Sequence, residues 1–196
     1  MFILEASVET GSDRSRAKEW LYVPYFLVVR DPAELPVLQA ELRPDWLWAR
    51  VPDGPDRLPL YLLAPLDLRD FAKTVSCHQD IAADGALSLA MLARFDDVAD
   101  RPWLYRQRLW EAGILGQALY LEAEAAGVQG TGIGCYFDDA VHRALGLKST
   151  RFQDLYHFTL GTALVDKRLV SEPAYAHLPG VVQNRGQLHA ETKNLG

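Results

Sequence analysis

The sequence contains no apolar run long enough to cross a membrane, few sulfur-containing side chains and no excess of basic residues. A membrane-spanning helix needs about 20 consecutive, predominantly apolar residues, and none is present. The N-terminus also lacks the basic and then apolar pattern of a secretion signal. Because the formal net charge is −6, the chain has no general attraction for nucleic acid or anionic membranes. We therefore expect a cytoplasmic protein that binds neither.

Cysteine is nearly absent, since the chain has only Cys77 and Cys135. Two cysteines do not form the disulfide framework of small secreted domains, and the cytoplasm keeps thiols reduced. We therefore predict two free thiols. No Cys-x-x-Cys or His-x-x-x-His pair accompanies them, so no metal site is predicted. Cys77 as the nucleophile of a hydrolase is disfavoured, because the adjacent His78 would point about 100° away on a helix.

The composition is that of a folded protein, with 196 residues of which 49% are hydrophobic and 23% charged. A chain of this length can bury one substantial core. We predict a weakly ordered N-terminal arm over residues 1–21, one domain over 22–170, and an extended C-terminal tail over 171–196. The arm shows little periodicity, and the tail contains Pro173, Pro179 and Gly180.

Hydrophobic periodicity predicts strands and helices in alternation. The predicted strands cover 25–29, 58–63, 86–93 and 153–161, and the predicted helices cover 35–42, 67–84, 102–127 and a short segment from Asp138. The apolar run 86–93 suits a strand buried on both faces, although periodicity alone also permits a helix. This mixture predicts an α+β fold in which helices flank a mixed or antiparallel sheet.

The predicted helix over 102–127 is apolar on nearly all sides in its middle, which is typical of a helix buried on most sides. At 1.5 Å per residue, about 26 residues extend over roughly 40 Å, which is more than one small core requires. We infer that a second subunit covers part of this helix and that the chain forms a homodimer.

A glycine-dense turn is predicted from Gly127 to Cys135, with four glycines in eight residues. Glycine adopts positive φ readily and lets a flat or anionic ligand approach the backbone, so the turn indicates a cofactor. The alternative is a tight connection between a helix and a strand that binds no ligand. Cys135 is either a thiol beside that cofactor or a small buried filler. His157 is expected to be a core or interface histidine, and Asp138 with His142 a helix cap with a local ion pair.

Several segments together resemble the C-terminal half of the nitroreductase superfamily. They are 111–127, 130–134, 145–147 and 155–161, with weaker similarity at 24–27, 76–82 and 86–93. The SagB-type branch, whose characterised members include flavin-dependent azoline dehydrogenases, is the most similar. The resemblance extends over roughly residues 22–176.

This resemblance implies an FMN-binding α+β fold, usually an intertwined homodimer with flavin at the subunit interface. It places the backbone of four residues against the isoalloxazine ring, namely Gly132, Ile133, Gly134 and Cys135. It also places Lys167 or Arg168 at the FMN phosphate, which arginine grips in a bidentate manner and lysine as a point charge. No catalytic side chain is implied.

Three family features are not found in the sequence. They are the arginine-rich start that grips the phosphate, the Pro-Ser-Ala-Gly-like segment under the flavin, and the azoline dehydrogenases' Lys-Tyr pair, whose places hold Ala99 and Asp100. On the resemblance, the first hypothesis is an FMN-dependent oxidoreductase that passes hydride from NAD(P)H through flavin to an electron-poor small molecule. The absence of the phosphate-gripping start favours the alternative, a catalytically silent nitroreductase-like domain for binding or dimerisation. A second protein that supplies the missing N-terminal half is a further expected partner.

Overall fold

The computed structural model describes residues 2–4, 25–52, 59–164, 166–170, 172–173 and 175–178. The chain divides into one unit over Met1–Ala163 and another over Leu164–Gly196. The described part of the second unit consists of turns, such as the one closed by the Leu169 N–H and the Asp166 carbonyl. No helix in the described residues is both long and apolar enough to span a membrane.

The first unit is built on an antiparallel sheet. In its described residues the strand order is β3-β4-β2-β1-β5-β7-β6, and each neighbouring pair is antiparallel. The strands are β1 Phe2–Leu4, β2 Tyr25–Val29, β3 Ala49–Arg50, β4 Leu60–Ala64, β5 Leu87–Arg94, β6 Gln129–Ile133 and β7 Phe152–Gly161.

Helices flank this sheet and confirm the predicted α+β class. A 3₁₀ turn at Pro32–Glu34 precedes the first of them, and the helices are α1 Leu35–Glu41, α2 Arg69–Val75, α3 Ile81–Asp84, α4 Trp103–Ala125 and α5 Asp138–Leu145. The single helix predicted over 67–84 is wrong, because Cys77 and His78 have φ values of 56° and 59°. Left-handed backbone cannot continue a right-handed helix, so the segment forms two short helices.

Strand β1 was not predicted, since its residues belong to the arm assigned to 1–21. It lies between β2 and β5 and pairs with both, as in the pairs of Phe2 with Val29 and with Leu92. Such pairing is set by distant partners and leaves no local pattern in three residues. The rest of the predicted arm lies outside the described residues.

The core lies on both faces of the sheet. Along β5, Leu92 joins a cluster with residues of β2, β4, α1 and α5, whereas Met91 and Ala93 join a cluster with β7 and α4. Successive side chains of a strand point to opposite faces, so a strand covered on both sides is apolar throughout. This explains the uninterrupted run at 86–93 and confirms it as a strand.

Helix α4 is much more exposed within the chain than its composition predicted. Its buried residues are the small ones, Ala112, Gly116 and Ala123. Many of its large apolar side chains face solvent, including Trp103 at 56%, Trp110 at 57%, Ile114 at 69% and Leu121 at 62% relative exposure, whereas Leu115 and Leu119 pack against the core. The apolar composition of α4 therefore does not reflect burial within one chain, because several of its large apolar side chains are exposed to solvent.

The predicted glycine-dense turn is mostly strand β6, at the edge of the sheet. Of its four glycines, Gly127 alone has positive φ, at 73°. It ends α4, where the Val128 N–H donates to the Ala123 carbonyl at 2.9 Å, a typical glycine C-terminal cap. The other three glycines therefore have reasons other than positive φ.

Candidate functional site

The candidate site is the meeting point of two connections. Residues 134–137, the β6–α5 connection, lie against residues 76–80, the α2–α3 turn. The Phe137 N–H donates to the Val75 carbonyl at 2.7 Å, and Gln79 Nε2 donates to the Cys135 carbonyl at 3.4 Å. The end of α2 therefore fixes the position of the β6–α5 connection.

A disulfide also joins the two connections. Cys77 and Cys135 are bonded, with 5.7 Å between their Cα atoms, so the prediction of two free thiols is wrong. The two residues are 58 positions apart in sequence, and no local pattern shows that the fold brings their Cβ atoms together. The prediction of free thiols depended only on the number of cysteines and the expected cytoplasmic location. The structure shows instead that the two side chains are close enough to bond.

Gly134 and Cys135 form an open stretch of backbone. Both residues are exposed, and a Cβ added at Gly134 would meet nothing within 4 Å. Within the described part of the chain, their backbone N–H groups donate to no acceptor. Two adjacent free donors beside empty space suit the acceptor atoms of a flat ligand.

Gly132 and Ile133 are engaged inside the protein. The Gly132 N–H donates to Tyr120 Oη at 2.7 Å, and a Cβ at Gly132 would overlap Tyr156 Oη and lie 2.8 Å from its Cζ. A Cβ at Gly130 would lie 2.7 Å from the Phe158 ring in the same way. Ile133 is 2% exposed. Packing under aromatic rings therefore accounts for glycine at 130 and 132.

Lys167 and Arg168 belong to the second unit, whereas residues 132–135 belong to the first. Both basic side chains are exposed. Arg168 makes a bidentate pair with Asp166, with Nε to Oδ1 at 2.9 Å and Nη2 to Oδ2 at 2.6 Å. This pairing raises the pKa of Arg168 and lowers that of Asp166. An ion pair so exposed contributes little to stability, so the guanidinium can exchange partners readily.

A buried polar chain lies directly behind the α2–α3 turn, and the sequence analysis missed it. Ser76 Oγ is 2.9 Å from His157 Nδ1, and His157 Nε2 is 2.7 Å from Asp154 Oδ2. All three residues are at most 3% exposed, and the Tyr136 ring stacks on His157 with 4.7 Å between centroids. His157 is thus confirmed as a core histidine.

An irregularity in strand pairing brings His157 and Asp154 together. On β7 they are three positions apart, whereas their partners on β5, Ala90 and Leu92, are two positions apart. The extra residue is a β-bulge, which places on one face two side chains that a regular strand would send to opposite faces. Sequence spacing therefore gave no signal for this pair.

Burial shifts the pKa of two groups at this site, Asp154 and Tyr136. It raises the pKa of the Asp154 carboxyl, although the bond to His157 works in the other direction. Asp154 Oδ1 has no hydrogen-bond partner within the described residues. Burial, with the nearby Asp154 carboxylate, also raises the pKa of the Tyr136 phenol to about 12.

The serine, histidine and aspartate resemble a hydrolytic triad only in composition. Ser76 is 0% exposed, so no substrate reaches its hydroxyl.

His142 Nε2 accepts from the Asp154 N–H at 3.1 Å instead of pairing with Asp138, so the predicted local ion pair does not form. No cluster of metal-binding side chains occurs in the part of the chain described here. The chain of Ser76, His157 and Asp154 ties the residue before Cys77 to strand β7.

Comparison with solved structures shows a nitroreductase-like fold. A protein from Anabaena variabilis, assigned as a nitroreductase, superposes with a TM-score of 0.54 at 19% identity over 83% of this chain. A chain of the Escherichia coli microcin synthetase McbBCD complex, bound to truncated pro-MccB17, superposes with a TM-score of 0.55 at 14% identity over 84% of this chain. No protein-family model and no curated protein matches the sequence.

The chain is shorter than both of these proteins. It covers 27% of the Anabaena variabilis chain and 52% of the McbBCD chain. At these identities the comparison establishes the fold.

Proposed function

We propose that the chain is an FMN-dependent oxidoreductase of nitroreductase type, in which the backbone of Gly134 and Cys135 faces the isoalloxazine ring. The observation that supports this proposal is the pair of exposed, unpaired N–H groups beside empty space. FMN, when bound, supplies the hydride chemistry between NAD(P)H and an electron-poor small molecule.

In this proposal the protein contributes position and hydrogen bonds. The N–H groups of Gly134 and Cys135 donate to acceptor atoms of the ring, while the disulfide and the Phe137–Val75 hydrogen bond hold both groups in place. Donors that are already oriented require no reorganisation when charge develops. Gly132 and Ile133 do not contact the ring in this proposal. They form the end of edge strand β6 and hold the start of the connection that carries Gly134.

The phosphate end of FMN is assigned to Lys167 and Arg168. Arg168 would exchange the Asp166 carboxylate for the phosphate, which offers the same bidentate geometry with more negative charge. The exposure of the existing pair keeps the cost of that exchange small.

The first proposed partner follows from the exposed face of α4. A second copy would bury Trp110, Ile114 and Leu121, which one chain leaves in water. A separate protein that completes the flavin site is a further proposed partner, in line with the structural neighbour that is part of the McbBCD complex. A cytoplasmic location remains part of the proposal.

The second candidate function is a nitroreductase-like domain for binding or dimerisation without catalysis. Its support is that three of the six residues predicted to contact flavin are already engaged by other residues of the chain. Tyr120 accepts the Gly132 N–H, Ile133 is buried, and Asp166 holds Arg168.

Titration of FMN by the purified chain, followed by flavin fluorescence, distinguishes these functions. The design compares the unchanged protein with Gly134→Ala and Gly134→Val, a graded series at a position where the fold leaves space for the new side chain. We expect flavin binding, slightly weaker for alanine and weakened at least about tenfold for valine, or about 1.4 kcal/mol.

Thermal unfolding of the three proteins serves as the control for folding. Absence of FMN binding by the unchanged protein contradicts the oxidoreductase and leaves the binding domain. Equal binding by all three proteins removes the assignment of the ring to Gly134.

A further inference from the structure

We propose that the Cys77–Cys135 disulfide is a thiol–disulfide exchange site that accepts an electron pair from a dithiol, and that its reduction loosens the β6–α5 connection. The proposal stands without flavin, because its reaction and its structural effect involve only the two cysteines and their surroundings. It bears on the proposed function at one point, because the connection that loosens contains Gly134 and Cys135, whose backbone is proposed to face the flavin ring.

Access is the first argument. Cys135 is exposed and Cys77 is half-buried. The proposal assigns the attack of a reducing thiolate to the sulfur of Cys135, the more exposed of the two residues. Exposed disulfides are the ones that are labile, regulatory or catalytic, whereas protected disulfides resist reduction. In the cytoplasm proposed for this chain, disulfides of mesophilic proteins are usually transient and serve catalysis or redox sensing.

The backbone at the site supplies the second argument. Cys77 and His78 are consecutive residues with Cβ atoms in the left-handed region, with φ of 56° and 59°. Such a conformation persists only where the surroundings enforce it. On one side the hydroxyl of Ser76 is bonded to buried His157, and on the other Gln79 Nε2 donates to the Ser76 carbonyl at 2.9 Å. The disulfide is the covalent restraint between them.

Reduction leaves a weaker set of restraints. The β6–α5 connection then depends on the Phe137–Val75 backbone bond, the long contact from Gln79 to the Cys135 carbonyl, and the edge-to-face packing of His78 on Phe137 at 5.8 Å. The buried chain of Ser76, His157 and Asp154 stays intact, because none of its bonds involves a sulfur atom. We therefore expect a local change at residues 77–78 and 134–137 within a folded protein.

The reaction proceeds in two exchanges. A thiolate of the dithiol attacks the Cys135 sulfur, forms a mixed disulfide with it and releases the Cys77 thiolate, which takes up a proton. The second thiol of the reductant loses its proton and attacks the reductant's first sulfur in that mixed disulfide, which releases the Cys135 thiolate. This thiolate then takes up the second proton. The protein gains two electrons and two protons, and the dithiol becomes a cyclic disulfide.

The test uses the whole chain with dithiothreitol, followed by alkylation and mass measurement under native conditions. We expect two thiols per chain to become alkylated while far-ultraviolet circular dichroism is unchanged. Amide hydrogen exchange at residues 134–137 should accelerate at least about tenfold while the chain remains folded.

The double variant Cys77→Ser/Cys135→Ser is the control, and it should show the faster exchange before any reductant is added. Release of thiols only in urea, at concentrations that unfold the chain, overturns the proposal. So does unchanged exchange at 134–137 after complete reduction. Neither readout uses flavin, so a protein that fails to bind FMN and still shows both effects refutes the proposed function alone.

Discussion

Replacing Gly132 with alanine is expected to lower the free energy of unfolding by about 2–4 kcal/mol. The new Cβ would overlap Tyr156 Oη and lie 3.3 Å from Tyr120 Oη. The Tyr156 ring already packs closely on Gly116 of α4, where an added Cβ would lie only 2.8 Å from Cε1 of the ring. The ring therefore has little room to move towards α4. The ring is therefore held between two glycines. Overpacking of a tight site costs about 1–3 kcal/mol, and displacement of Tyr120 from the Gly132 N–H about 1 kcal/mol more.

Gly134→Ala is the matched comparison two residues further along. Nothing lies within 4 Å of the added methyl group, so only the unfolded chain is affected. Loss of glycine's freedom there stabilises by about 0.4–1 kcal/mol. Urea unfolding followed by tryptophan fluorescence measures both variants, and Gly116→Ala should resemble Gly132→Ala. Equal stabilities for the variants at 132 and 134 would show that Tyr156 is not held between β6 and α4.

Three further predictions concern the disulfide, the buried carboxyl and α4. Reducing Cys77–Cys135, which are 58 residues apart, should lower the free energy of unfolding by about 4 kcal/mol in the chain-entropy model, and a loss below about 1 kcal/mol in urea titrations would contradict it. Because burial raises the pKa of Asp154 in the folded state, the contribution of this group to the free energy of unfolding is greatest below the ordinary carboxyl pKa and is lost as pH rises through the raised pKa. Asp154→Asn should flatten this fall in unfolding measured from about pH 4 to 7, and an identical slope would exclude Asp154 as its source. Trp110→Glu with Ile114→Glu should convert the proposed dimer to a folded monomer in analytical ultracentrifugation, whereas an unchanged sedimentation coefficient would place the interface elsewhere.

Local pattern was sufficient wherever a single element decides its own conformation. The apolar, β-branched run at 25–29 forms β2 with the predicted bounds, and the long apolar segment closed by Gly127 forms α4. Helix ends and buried strands carry their signals within a few residues, in caps and in period. The α+β class follows from these elements.

Features set by distant partners were not readable from the sequence. Strand β1 exists through its neighbours β2 and β5, and the disulfide depends on the approach of two connections 58 residues apart. The left-handed pair at Cys77 and His78 interrupts a regular helical spacing without any glycine to mark it. The contact of His157 with Asp154 requires a bulge, which no residue in β7 announces.

The candidate site shows the same division. Glycine content singled out residues 127–135 as one motif, but the glycines in it have three different roles. Gly127 ends a helix, Gly130 and Gly132 lie under aromatic rings, and Gly134 borders open space. The sequence shows only that these positions are glycine. The structure shows that aromatic rings lie where a Cβ would be at Gly130 and Gly132, and that nothing lies there at Gly134.

The decisive measurement for the proposed oxidoreductase is the visible absorption spectrum of the purified chain after addition of FMN and removal of unbound flavin. We expect a retained flavin band whose position and fine structure differ from those of free FMN, because fixed backbone donors at Gly134 and Cys135 alter the ring's surroundings. A colourless protein, obtained from a folded and disulfide-bonded sample, would contradict the proposed oxidoreductase.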